Sequence, residues 1–89
     1  MKSVWKFPFN VASDGQIALP KGAEILHVEE QAGVPCFWAL VDPAAERELL
    51  SFRIFGTGFD IPSNYTSREH IGTFLSDGGR FVWHVFKAL

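Results

Sequence analysis

The C-terminal stretch 80-RFVWHVFKAL-89 limits what this chain can fold into more than any other part of its sequence. Alternate side chains of an extended strand point to opposite faces of a sheet. One face would carry Phe81, Trp83 and Val85, and the other would carry Val82, His84 and Phe86. Both faces are apolar, so protein must cover each of them. We therefore expect this strand to be sealed on both sides, with one side covered by a second copy of the chain.

The amount of apolar surface supports the same expectation. The chain of 89 residues is long enough for one domain, residues 1–89. A domain of this size buries only about 60–65% of the surface that its unfolded chain exposes. Yet 47% of the residues are hydrophobic, and the chain contains nine Phe and three Trp. Each large ring buries roughly 150–250 Å², so some rings should lie at a subunit interface or line a pocket.

Charge and hydropathy exclude several classes of partner. The formal net charge is −2 and the eight Lys and Arg residues are scattered, which argues against binding to DNA or RNA. The longest apolar run, VPCFWALV, is much shorter than the ~20 residues of a membrane-spanning helix. The start, MKSVWKFPFN, reaches a Pro and an Asn before the apolar core of a signal peptide can form. We therefore expect a soluble protein of the cytoplasm, without a membrane partner.

Short extended segments separated by turns run through the whole chain. They are VWKFPFNV, IALP, GAEILHVEEQ, CFWALVD, LLSFRIFGTG, HIGTFL and RFVWHVFK. Pro8 lacks an N–H donor, which makes the first segment an edge strand or one broken at a bulge. GAEILHVEEQ has a composition that also suits a helix, but its alternation favours a hairpin with CFWALVD. The sequence thus predicts an all-β fold: a small single-domain antiparallel meander, sandwich or partly open barrel of about six to seven short strands.

The residues that carry chemistry do not form a recognisable catalytic or metal-binding motif. His27, His70 and His84 lack the short spacing of metal ligands on one strand, so we expect neither a metal nor another cofactor. His84 is interpreted as a partly buried histidine with one hydrogen-bond partner. Cys36 lies in an apolar run and has no second cysteine to pair with, which indicates a buried structural thiol. We expect no catalytic residue, and whether any of these four residues has a chemical role stays open.

The segment 55-FGTGFDIP-62 is the best candidate for a binding loop. Two glycines around Thr57 can present backbone N–H groups to an anion, although the same residues also suit a strand-ending turn. A dinucleotide-binding loop is excluded, because Ile61-Pro62 stands where a helix would have to begin. Arg53 and Arg68 could add positive charge. The ligand-binding candidates are therefore Arg53, Thr57 and Arg68 as polar anchors, with Trp38 and Trp83 as rings that a ligand or partner would meet.

Several strings taken together resemble a family of small proteins of bacteriophages and prophages. They are WKFPF, LPKGAEILHVEEQAGVPCFWALVDP, FRIFGTGFDIP, IGTF and GGRFVWHVF, and the run from Leu19 to Pro43 is the most specific. The resemblance covers nearly the whole chain. It implies a compact β protein that a phage uses inside a bacterial cell. It supplies no catalytic residue, because the family has no assigned activity.

The function that fits these features best is binding. The leading hypothesis is a non-enzymatic phage or prophage accessory protein that acts as a homo-oligomer in the cytoplasm of the host bacterium. It would sequester a small anionic ligand, such as a nucleotide signal of bacterial immunity. The alternative is an inhibitor or adaptor that binds a host protein. A small hydrolase and a minor structural component of the virion are further alternatives.

Overall fold

The computed structural model describes residues 1–89 and consists of seven strands and two short 3-10 turns. The strands are β1 (Ser3–Pro8), β2 (Asp14–Pro20), β3 (Glu24–Gln31), β4 (Val34–Val41), β5 (Arg47–Gly56), β6 (His70–Ser76) and β7 (Phe81–Lys87). The 3-10 turns are Ser67–Glu69 and Asp77–Gly79. The predicted all-β class is confirmed. No helix in the structure has the length and apolar character needed to cross a membrane.

The strands form two antiparallel sheets that pack face to face. β1, β4 and β3 make a three-stranded sheet in that order, and β2, β5, β7 and β6 make a four-stranded sheet. Of the three architectures that the sequence allows, the structure is the sandwich, because the sheets do not close into a barrel. β1 pairs only with β4, so the edge position predicted from Pro8 is confirmed.

A cluster of four phenylalanine rings fills the space between the sheets. Phe9 stacks on Phe37 with the ring centroids 4.3 Å apart. Phe52 and Phe74 meet Phe9 edge-on at 5.4 and 5.7 Å. All four side chains are buried. Because they come from both sheets and from the connection after β1, this cluster holds the two layers together.

β3 and β4 are joined by a two-residue turn, which confirms the predicted hairpin. Ala32 and Gly33 have φ angles of +51° and +83°, the pattern of a type I′ turn, whose twist matches that of the flanking strands. The alternative helical interpretation of residues 22–31 is thereby resolved in favour of a strand. β4 lies between two partners and holds Cys36 as a buried free thiol, as expected.

The two faces of β7 alternate as predicted, but the second face is covered by the same chain. β7 runs between β5 and β6, and Val85 is fully buried on the inner face. On the outer face the Phe86 ring meets Phe55, Tyr65 and His70 at centroid distances of 5.7, 6.0 and 5.3 Å. Tyr65 belongs to the long connection between β5 and β6, which folds back over the sheet. The argument that this face needs a second copy of the chain therefore fails.

Candidate functional site

A cleft of about 260 Å³ opens at the end of the four-stranded sheet where β5 ends and β7 begins. Its lining includes Thr57, Phe59, Arg80, Phe81 and Trp83, and we call it the aromatic cleft. Two of the residues predicted as ligand contacts, Thr57 and Trp83, are brought together here. Pockets for drug-sized ligands usually measure about 300–1,000 Å³, so the aromatic cleft suits a ligand part no larger than one ring system.

Three aromatic rings form the apolar part of the aromatic cleft. The Trp83 ring lies 6.3 Å from Phe59 in an edge-to-face arrangement and 5.9 Å from Phe81. The indole Nε1 of Trp83 donates a 2.8 Å hydrogen bond to Ser76 Oγ, which fixes the orientation of the ring. Phe59 and Phe81 remain 61% and 47% exposed. Exposed phenylalanines beside an anchored tryptophan form a surface that a flat ligand or an apolar side chain would cover.

The Gly-Thr-Gly sequence builds the rim of the aromatic cleft. The Phe59 N–H donates to the Gly56 carbonyl at 3.0 Å, which closes a turn, and Gly58 has a φ of +86°. A Cβ on Gly56 would lie 2.9 Å from the Phe59 ring, so a side chain at this position would push the ring away. The strand-ending turn that the sequence predicts is therefore present, and it is what places Phe59 in the cleft.

Thr57 also belongs to a chain of hydrogen bonds on the outer face of the sheet. Thr57 Oγ1 lies 2.7 Å from His84 Nε2, and His84 Nδ1 lies 3.0 Å from Thr73 Oγ1. Thr73 Oγ1 is in turn 3.0 Å from His70 Nε2. One consistent arrangement has the Thr57 hydroxyl donating to His84, and the Nδ1–H of His84 donating to Thr73. His84 thus has two hydrogen-bond partners, where the sequence predicts one.

Arg80 supplies positive charge at the aromatic cleft. Its guanidinium carbon lies 5.7 Å from the centre of the Phe81 ring, and one guanidinium nitrogen lies 3.4 Å from an Asp77 oxygen in an exposed ion pair. Exposed pairs of this kind contribute about 0–1 kcal/mol, so Asp77 holds the guanidinium only weakly. Arg80 can therefore turn towards an anionic group that is bound next to the rings.

Arg53 lies on the outer face of β5, four residues before Thr57 and outside the aromatic cleft. Its guanidinium carbon lies 5.0 Å from the centre of the Phe55 ring and 5.9 Å from that of Tyr65. Arg53 lines a separate, shallow groove with Asp14, although no ion pair joins the two side chains. Its contacts are thus with the rings that cover β7, and it does not join the candidate site.

Arg68 and Trp38 also lie apart from the aromatic cleft. Arg68 is an exposed residue of the 3-10 turn Ser67–Glu69. Trp38 lies on β4 in the three-stranded sheet, where its ring is 6.0 Å from the His27 ring. The five predicted ligand contacts therefore do not form one site, since two lie in the cleft and three lie elsewhere.

The three histidines are divided between the two sheets. His70 and His84 share Thr73 as a hydrogen-bond partner on the four-stranded sheet, whereas His27 lies on β3. No group of three or more His, Cys, Asp or Glu side chains has an arrangement that could hold a metal ion. The side chains that line the aromatic cleft consequently offer a hydroxyl, a guanidinium and aromatic rings, and the His84 imidazole is connected to it only through Thr57.

Sequence reasoning missed Phe59, Phe81, Arg80 and the pairing of Thr57 with His84. The alternation in β7 correctly groups Phe81 with the inward residues, but it does not reveal that this ring lies at the open end of the sandwich. One local signal exists. Phe59 follows one glycine-rich turn and Arg80 follows another, so both positions border turns, where side chains stay accessible.

A second cleft, of about 280 Å³, lies near the other end of β7. Its apolar lining includes Leu19, Ile25 and Ile71. Its polar side chains, Glu48 and Lys87, are both exposed and of opposite charge. The aromatic cleft, where rings, a hydroxyl and a guanidinium converge, is the better candidate for a specific ligand site.

Comparison with known protein families covers the whole chain. A family model described as a domain of unknown function (DUF7352) matches residues 1–89. No curated protein and no solved structure matches the chain significantly. The function has therefore to be argued from the geometry of the candidate site.

Proposed function

The chain belongs to the DUF7352 family, which is defined by a domain of unknown function, and from that premise we propose that it is a binding protein. The proposed ligand is a small molecule that combines a planar ring with an anionic group, as a nucleotide does. Its ring stacks in the aromatic cleft against Trp83 and Phe81, and its anionic group meets Arg80. The protein holds this ligand without converting it.

The exposure of Phe59 and Phe81 beside Trp83 is the observation that carries the proposal. Burying apolar surface contributes about 25 cal/mol per Å², so covering these rings provides a driving force for binding. Stacking of a base on an aromatic side chain contributes about 1–3 kcal/mol. Arg80 adds a local positive charge to a chain with a net charge of −2, which favours a ligand that is both aromatic and anionic.

The proposal extends to the biological setting of the protein. The chain is encoded by a bacteriophage or prophage, and it works as a homo-oligomer in the cytoplasm of the host bacterium. The support is its resemblance to small phage proteins, together with large apolar side chains that stay exposed on the folded chain, such as Val4, Leu26 and Leu75. In that setting a protein that sequesters a nucleotide signal acts stoichiometrically, because each aromatic cleft removes one ligand molecule.

Thermal unfolding with a panel of linear and cyclic nucleotides tests the ligand proposal. A nucleotide at a hundred times its dissociation constant stabilises the protein by about 2.7 kcal/mol, which raises Tm by roughly 10–20 °C for a domain of this size. We expect Phe59→Ala to weaken binding about tenfold or more, because it removes one exposed ring of the cleft. Leu49→Ala is the matched control, since Leu49 is 64% exposed but lies outside the aromatic cleft.

Arg80→Gln separates the contribution of charge from that of stacking. We expect this variant to lose affinity for nucleotides and to bind the corresponding nucleosides as well as the unaltered protein does. The ligand proposal is wrong if no nucleotide raises Tm, or if Leu49→Ala abolishes the shift as Phe59→Ala does. The exposed rings of Phe59 and Phe81 would then favour the alternative function, in which they bind a host protein.

The contact between Thr57 and His84 favours a second candidate function, the hydrolysis of an ester. The 2.7 Å between Thr57 Oγ1 and His84 Nε2 is the separation that a hydroxyl nucleophile and its general base require. Thr57 Oγ1 would form a bond to the ester carbonyl carbon while its proton passes to His84 Nε2. The alcohol would leave with that proton. Water, deprotonated by the same histidine, would then release the acid and restore Thr57.

Incubation with 4-nitrophenyl acetate, followed by mass spectrometry of the intact protein, tests the hydrolase candidate. We expect an acetyl group on Thr57 that is absent from Thr57→Val. Thr73→Val should slow its appearance, because His84 loses the partner that orients its ring. An unmodified protein, or equal release of 4-nitrophenol by Thr57→Val, would contradict this candidate.

A further inference from the structure

The outer face of the three-stranded sheet carries an apolar ridge between two charged flanks of opposite sign. The strand register places Val4 beside Leu40 and Lys6 beside Trp38. On the other side of β4, Glu24 lies beside Leu40. We call this surface the ridge face, and its outward residues include Val4, Lys6, Glu24, Glu29, Trp38 and Leu40.

The centre of the ridge face is apolar and open to solvent. Trp38 and Leu40 are only partly buried, and Val4 is 52% exposed. An antiparallel sheet that meets water normally presents polar side chains on that face. On the outer face of the four-stranded sheet, Tyr65 of the same chain covers the apolar ring of Phe86. On the ridge face no connecting segment places a ring over Trp38 and Leu40, and only the side-chain hydrogen bond from Lys6 to Gln31 crosses β4.

The charges on the two flanks lack firm partners within the chain. Lys6 donates to the neutral side chain of Gln31 at 2.9 Å. Glu29 contacts only a histidine, at 3.3 Å, and Glu24 takes part in no ion pair. Lys2 lies just before β1 and adds to the positive flank. The β1 flank is therefore basic and the β3 flank is acidic.

We propose that the ridge face is the interface of a homodimer whose two-fold axis runs parallel to β4. Rotation about that axis turns the ridge face onto a second copy and lays β1 of one chain over β3 of the other. Lys6 then faces the flank that carries Glu29 of the partner subunit, and the two Trp38 ridges pack together. The inference rests on the homo-oligomeric state proposed above and names the surface that forms it.

The charge pattern selects this orientation over the alternative. A two-fold axis perpendicular to the strands would lay β1 over β1, so that lysines of the two copies would repel each other. Pairing along the edges of the same sheet is hindered too. Pro8 removes a donor from β1, and a bulge interrupts β3 between Ile25 and His27. In the three-stranded sheet, the face rather than either edge is therefore the surface open to a second copy.

The size of the ridge face indicates a weak dimer. Three strands of six to eight residues span about 14 Å across and about 25 Å along the strands at ordinary spacings. An interface of this extent falls at the small end of specific complexes, below about 1,200 Å² of total buried surface. Interfaces of this size are typical of weak, transient complexes, so dissociation should be sought at micromolar concentrations of protein.

Sedimentation equilibrium of the full chain across the micromolar range tests the inference. We expect a monomer–dimer equilibrium in which Lys6→Glu raises the dissociation constant about tenfold or more, because both symmetry-related contacts become repulsive. Glu29→Lys should have the same effect. The double variant restores opposite charges across the interface, and it should regain most of the lost affinity. Leu49→Glu, on the outer face of the other sheet, is the control and should leave the dissociation constant unchanged.

Three outcomes would overturn the inference. A protein that stays monomeric contradicts both the assignment of a dimer interface to the ridge face and the homo-oligomeric state in the proposed function. A dimer that is insensitive to both single charge reversals, or that is weakened by Leu49→Glu instead, contradicts only the assignment of the interface to the ridge face. Nucleotide binding by the same variants reports separately on the ligand proposal, because the aromatic cleft belongs to the other sheet. Thermal unfolding of each variant confirms that the charge changes leave the fold intact.

Discussion

Tyr65 covers the outer face of β7, and its removal tests how this chain buries both faces of its last strand. The Tyr65 ring meets Phe55 at 5.8 Å and Phe86 at 6.0 Å, both edge-to-face. The Arg53 guanidinium carbon lies 5.9 Å from the centre of the same ring. The Tyr65 hydroxyl accepts a hydrogen bond from the Leu89 N–H at 3.3 Å. Tyr65→Ala removes all these contacts, whereas Tyr65→Phe removes only the hydrogen bond.

We expect Tyr65→Ala to lower the free energy of unfolding by about 2 kcal/mol. An edge-to-face pair contributes about 0.5–1.5 kcal/mol and a cation–π contact about 0.5–1 kcal/mol. Two pairs and one cation–π contact therefore span roughly 1.5–4 kcal/mol, and the partial exposure of Tyr65 favours the lower half of that range. The corresponding fall in Tm is roughly 8–16 °C for a domain of this size. Tyr65→Phe should lose less than about 1 kcal/mol.

Urea denaturation followed by circular dichroism measures these differences. A double-mutant cycle with Phe86→Ala isolates the contact between the two rings, and we expect a coupling of about 0.5 kcal/mol or more. Tyr65→Ala should also bind more of a hydrophobic dye, because Phe86 becomes exposed. If Tyr65→Ala stays within about 0.5 kcal/mol of the unaltered protein, the β5–β6 connection does not stabilise this face. The case for a second copy of the chain over β7 would then return.

Three further substitutions test the fold around the site, with urea denaturation as the measurement. Ala32→Asn should raise the free energy of unfolding by about 1 kcal/mol, because Ala32 has a φ of +51° in a turn that favours Asn; no gain would contradict the type I′ assignment. Gly72→Ala should lose about 1–3 kcal/mol, because a Cβ there would lie 2.7 Å from a methyl group of Val28. Combined with Val28→Ala, the total loss should be smaller than the sum of the two single losses, because the shorter side chain removes the clash; strict additivity would show that the two sheets do not approach this closely. Ser76→Ala should lose about 1 kcal/mol and weaken nucleotide binding, because Trp83 Nε1 loses its acceptor; equal binding by this variant would mean that the hydrogen bond does not orient the ring.

Local features of the sequence predict the strands and their turns well. The edge position of β1 follows from Pro8, which cannot donate a hydrogen bond to a neighbour on one side. The β3–β4 hairpin follows from Gly33, which adopts a positive φ at little cost. Both features act between residues that are close in the chain. The same reasoning leaves sandwich, meander and barrel open, because strand order depends on contacts between distant segments.

The candidate site is only partly predictable for the same reason. Thr57 and Trp83 are far apart in the chain, and they share the aromatic cleft because Gly56 pairs with Trp83 in the register of β5 and β7. Trp38 has a similar apolar neighbourhood in the sequence but lies on the other sheet. Phe59 looks like part of an irregular loop until the turn at Gly56 folds its ring back.

By itself the sequence determines that this chain forms short strands, that the last of them is apolar on both sides, and that protein must cover both of these sides. Only the tertiary structure decides which segment covers which face. It places β7 between two strands, lays Tyr65 over Phe86, and leaves Trp38 on a face that the chain itself does not cover. The physical reason is that the alternation of side chains along a strand depends only on neighbouring residues. Which segment buries a given face depends on the summed packing of segments that meet only in the folded chain.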